Sequence, residues 1–85
     1  MGAPTIGQAV RVRGLKPGWT DGLKGTVLSV RADDRANILL TADATARAHK
    51  AIASRGKPWQ SALLHDGPDG CAILPAVPLG NLAAG

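Results

Sequence analysis

The stretch "DGLKGTVLSV", residues 21 to 30, sets the tightest limit on how this chain folds. Two glycines three apart, Gly22 and Gly25, lead into a run of β-branched and aliphatic residues. Such a run favours a strand. Glycine at its start marks a place where the backbone turns sharply or a second backbone comes close. The rest of the chain must then supply partners for a short, bent strand. Of the 85 residues none is Phe or Tyr, and Trp19 and Trp59 are the only aromatics, so the core is built from Val, Leu and Ile. A small aliphatic core suits one compact domain over residues 1–85, barrel-like or sandwich-like, and leaves no room for a deep pocket; no cofactor is expected.

The flanking segments read as further short elements. Residues 1–5 are small and contain Pro4, which suggests a loose arm. From Gln8 to Arg13, "QAVRVR" alternates, turning Val10 and Val12 inward and Arg11 and Arg13 outward, the period of a half-buried strand. Residues 14–22 form a long Gly- and Pro-containing loop, and Lys24 to Arg31 a second strand. A polar turn, "RADDRAN", precedes a third strand from Asn37 to Thr41. Residues 43–55 are Ala-rich and free of Gly and Pro, with Asp43 as N-cap and Gly56 beyond the end, which predicts a helix. Ala44, Ala48 and Ile52 form its thin apolar stripe, too weak to stand without a sheet beneath it. Residues 61–74 read as two apolar segments around a Gly/Pro/Asp turn, a hairpin, although 59–64 also suit one helical turn. The tail from Pro75 fits a short strand followed by a 3₁₀ turn.

Gly7, Val10, Val12, Gly18, Gly22, Gly25, Val27 and Val30 together resemble the KOW motif of SH3-like small barrels. Its heart is a glycine, two residues, then Gly-x-Val-x-x-Val, and "GLKGTVLSV" has that spacing. The closing "VPLGNL" is similar to the end of such barrels, where a strand passes through one 3₁₀ turn into the last strand. The resemblance implies a mainly β, SH3-like small barrel of about five strands, with the helix of residues 43–55 inserted after the third. KOW domains occur in a ribosomal protein of the large subunit and in transcription elongation factors, which implies a nucleic-acid partner, RNA ahead of DNA. Asp21 stands where the family usually carries a basic residue, and "GWTD" lengthens the loop. Val27 and Val30, three apart, both face inward if a bulge lies between them.

Charge points the same way as the resemblance. Ten Lys and Arg against six acidic residues, all Asp, give +4 at neutral pH, a balance that favours polyanions. Arg11, Arg13, Lys16, Lys24 and Arg31 gather into one patch if the first two strands pair, and Trp19 in the loop is placed to stack on an unpaired base. Alternatively these charges solvate a strand face and Trp19 covers the end of the core. A second surface, for a protein partner, is offered by Arg47 and Lys50 on the helix and by Trp59 beyond it. The free strand edges of a small barrel also admit a homodimer.

Catalysis and metal binding find little support. Cys71, His65 and Asp66 lack an oxyanion hole or a recognisable motif, and "GCAIL" reads as core around a structural thiol. His49 and His65 are far apart in sequence and no metal site is expected; a single cysteine excludes an intramolecular disulfide. No signal peptide or long apolar span is visible, so the chain reads as a cytoplasmic, noncatalytic protein. Its Ala, Arg and Gly content suggests a high-GC bacterial or phage source.

Overall fold

A computed structural model describes residues 4–15, 18–54 and 63–85. Six strands and one helix follow one another: β1 (Ala9–Val12), β2 (Lys24–Val30), β3 (Arg35–Leu40), α1 (Ala42–Ser54), β4 (His65–Asp66), β5 (Ala72–Pro78) and β6 (Leu82–Ala84). The strands form one open antiparallel sheet in the order β4-β5-β3-β2-β1-β6. A 3₁₀ turn, Leu79–Asn81, carries the chain from β5 across to β6, so the last strand pairs with the first. Asn81 fixes that crossing: its carbonyl accepts from Arg13 N–H at 2.7 Å and its amide donates to Arg13 O at 2.9 Å. The expected mainly β order with one helix after the third strand is present, as six strands in an open sheet: the second hairpin strand and the tail strand are one, β5, and a further strand, β6, follows the 3₁₀ turn. Of the expected loose arm, residues 1–3 lie outside the described residues, while Thr5 is tied to Gln8 by a bond in each direction.

The core follows the alternation. Val10, Val12, Val27, Ala36, Ile38, Leu40, Ala72, Leu74 and Val77 are buried on one face, joined by Leu23 from the loop. Helix α1 closes over part of this face with Ala44, Thr45 and Ala48, whose small side chains let it approach closely. Thr45 is buried, and its hydroxyl accepts from Ala72 N–H at 2.9 Å, locking the helix to β5. The helix is capped by Thr41: Ala44 N–H donates to Thr41 Oγ1 at 3.1 Å and Thr45 N–H to Thr41 O at 2.8 Å. Asp43, expected as the cap, lies instead in the first turn, where its carboxylate favours the positive end of the helix dipole. Strand β3 ends one residue earlier than expected, at Leu40; Thr41 still bonds β2 through its N–H and turns its carbonyl and hydroxyl to the helix.

Two bulges bend the sheet at the same level. The β2–β3 register shifts at Leu28 and the β3–β5 register at Pro75 and Ala76, on either side of Asn37. Asn37 serves both: its amide donates to Ser29 Oγ at 2.9 Å and its carbonyl accepts from Ala76 N–H at 3.0 Å. Ala76 has φ +55°, a left-handed conformation that costs a non-glycine residue about 1–2 kcal/mol. The bulge does turn Val30 to the face of Val27, since Val30 pairs with the buried Ala36. Val30 is nevertheless 41% exposed, because it lies where the strand ends and no element covers it.

Candidate nucleic-acid interface

The face of the sheet opposite the core carries the basic residues of β1 and β2. Arg11 is paired directly across the strands with Lys24, one step from the Val10–Gly25 pair. Alternation turns Arg13, which is exposed, to the side of Arg11. Ala83 flanks Arg11 on β6, and Ala9 and Thr26 form the next pair along the ladder, so the surroundings are small and flat. The long loop leaves β1 beyond Arg13 and returns at Lys24. Gly14 N–H donates to Asp21 Oδ1 at 2.8 Å, which holds the base of that loop. Lys16 lies outside the described residues.

Helix α1 adds a residue to this end. Thr41 N–H donates to Lys24 O at 3.0 Å, so the start of the helix sits against the start of β2. Lys24 and Arg47 consequently line one open groove of about 560 Å³ with Thr41, Asp43, Ala44 and Ala46. Arg47 thus lies near Lys24, and Asp43 brings one negative charge to the same groove. Lys50 is exposed further along the helix, and Trp59 lies outside the described residues.

Arg31 does not join this group. It lies seven positions along an extended strand from Lys24, roughly 20 Å. Its guanidinium instead lies 3.4 Å from Asp33 in the β2–β3 turn, where Arg35 approaches the same carboxylate at 4.0 Å. The single patch expected from the sequence is therefore divided: Arg11, Arg13, Lys24 and Arg47 stand at one end, Arg31 at the other. All six aspartates lie among the described residues, and the ion pairs found there are those two at Asp33.

The loop does not hold Trp19 out at a tip. Trp19 occupies a 3₁₀ turn, Gly18–Thr20, that contacts α1, and its half-buried ring packs against the core cluster. The neighbouring Thr20 is buried and donates to Leu15 O at 3.1 Å.

On the far side of the helix, His49, His65, Asp66 and Cys71 share a pocket of about 320 Å³. Sequence distance hid this meeting of both histidines, and Cys71 is half-buried rather than core. Among the described residues no three His, Cys or Asp side chains are placed to hold a metal ion. No helix among them is long and apolar enough to cross a membrane. Comparison with protein-family models, curated proteins and solved structures finds no match, so the functional reading rests on the chain's own residues.

Proposed function

We propose that this chain is a noncatalytic nucleic-acid-binding module, RNA ahead of DNA, that holds the phosphate backbone on the β1–β2 face. One observation carries the reading: Arg11 and Lys24 stand directly opposite each other on the open face, with Arg13 beyond them and Arg47 near Lys24, while no aspartate forms an ion pair with any of the four. Like charges directly opposite each other on a sheet destabilise it, and a polyanion removes that cost. The fold reading that goes with it is a KOW-like, SH3-like small barrel. Its support is the pairing of first and last strands, the 3₁₀ turn before β6, and the glycine spacing of β2.

The test is a titration with single-stranded RNA, single-stranded DNA and duplex DNA, followed by tryptophan fluorescence. Three or four phosphate contacts to a single strand give a log–log salt slope of about −2 to −3. Affinity should then fall about 20- to 50-fold between about 50 and 200 mM salt. Arg11→Gln and Lys24→Gln should each weaken binding and flatten the slope by about one contact, whereas Arg31→Gln should not. No binding at physiological salt sinks the reading.

A second reading, docking to a protein partner, is favoured by a different end of the molecule. Among the described residues Ile6, Leu28 and Val30 are the exposed large apolar ones, and Gly7 N–H bonding to Val27 O brings Ile6 beside β2. Substituting the three with Ser should abolish capture of a partner and leave nucleic-acid binding unchanged if that surface docks.

A further inference from the structure

Arg11 is the point where the basic face is least satisfied. Its Nε is shielded from solvent and has no hydrogen-bond partner, the one such side-chain atom among the described residues. A guanidinium is always charged and its N–H groups only donate, so this hydrogen waits for an acceptor. No protein acceptor is bonded to it. Strand β1 is paired on both edges, with β2 and β6, so its ladder carbonyls are used. The residue directly across is Lys24, itself a cation, and the residue on the other side is Ala83. The side chain therefore lies on the sheet with no hydrogen bond at Nε to break when it moves.

We infer that Arg11 and Lys24 hold one phosphate group between them, and that this pair fixes the register of the bound strand. The inference rests on the nucleic-acid reading above. Arg11 lifts from the sheet and donates Nε–H and a terminal N–H side by side to two phosphate oxygens; Lys24 places its ammonium beside a third. The flat flank of Ala9 and Ala83 lets the backbone of the ligand come close. Arg13, exposed at the strand's end, and Arg47, across the groove, follow the strand outward from that anchor as point charges. Fork geometry thus matters at residue 11 and charge alone matters at residue 13.

The decisive comparison is Arg11→Lys against Arg13→Lys, each keeping its charge, with the Arg11 Nε–H signal followed by NMR in the unmodified chain. The probes are a short single-stranded RNA and, separately, inorganic phosphate. Loss of the fork should weaken RNA binding about 10-fold for Arg11→Lys and less than about 3-fold for Arg13→Lys, with the salt slope unchanged in both. The Nε–H signal should shift with RNA and, at higher concentration, with phosphate. Equal effects of the two variants, or an Nε–H signal that stays in place at saturation with RNA, overturn the inference and leave the broader reading standing. If RNA does not bind at all, the broader reading falls. The phosphate arm then decides alone: a shift at Arg11 that Lys24→Gln abolishes supports a phosphate site, and no shift refutes it. Matching unfolding midpoints for the variants separate lost contacts from lost fold.

Discussion

Gly22 and Gly25 answer to different physics, and alanine at each should show it. Gly22 has φ +85° and open space around the position a Cβ would take. Alanine there meets only the left-handed backbone penalty of about 1–2 kcal/mol, reduced by about 0.4–1 kcal/mol through a less flexible unfolded chain. A net loss near 1 kcal/mol is expected, a fall in Tm of about 4–8 °C for a domain of this size. Gly25 lies in ordinary strand backbone, but a Cβ would stand 2.5 Å from Leu39 O and 2.7 Å from Ile38 Cγ2. The carbonyl belongs to β3, pinned on both edges by β2 and β5, and cannot step aside without breaking the ladder. Overpacking of about 1–3 kcal/mol adds to a weakened ladder bond of about 1 kcal/mol, so Gly25→Ala should cost about 3 kcal/mol.

Urea unfolding followed by tryptophan fluorescence measures the difference. Gly18→Ala, with neither positive φ nor a close neighbour, is the control and should be nearly silent. The chain is short enough for chemical synthesis, and D-alanine at position 22 should raise stability where L-alanine lowers it. A larger loss at position 22 than at position 25, or destabilisation by the D-residue, would refute the assignment of one glycine to conformation and the other to space.

Asn37→Ala should cost about 1–3 kcal/mol by stranding Ala76 N–H, measured as a lower urea midpoint with an unchanged m-value. Ala76→Gly should gain about 0.5–1 kcal/mol, since glycine relieves the positive φ at a smaller entropic cost; a loss of stability would show that the Ala76 methyl packs usefully. Thr45→Val keeps the shape but leaves Ala72 N–H unpaired, and should lower the midpoint by about 1–3 kcal/mol. Thr41→Ala should cost about 1 kcal/mol and Thr41→Ser almost nothing, read by far-UV circular dichroism through thermal unfolding.

Much of the fold was legible because it rests on local pattern. The alternation of Val10 and Val12, the glycines before β2 and the Ala-rich run of α1 each have a period or a stop signal that survives without tertiary context. The features missed were those where two segments compete for one backbone group. Thr41 rather than Asp43 caps the helix because the ladder ends at Leu40. Asn37 carries no mark in the sequence: it matters because bulges on two different neighbours fall opposite it. The face of Val30 is readable from the spacing, but its exposure depends on where the covering elements stop, which no local pattern encodes.

The basic end of the molecule was legible as a group of residues on two paired strands but not in its exact members, and the Arg11–Lys24 pairing depends on register. A slip of one residue between β1 and β2 would turn Lys24 to the core face and separate it from Arg11. Gly25 lies between Val10 on one neighbour and Leu40 on the other; its tight fit against Leu39 and Ile38 holds β2 in register with β3, while the buried Val10 and Val12 hold β1 against β2. With both registers held, Lys24 faces Arg11, and β3 ends beside Lys24, where α1 begins and brings Arg47 to the groove. The glycine that shapes the strand therefore also helps to place Lys24 beside the start of α1. A substitution at position 25 that the fold survived by shifting register should scatter the cluster, so that phosphate binding is lost before the sheet is.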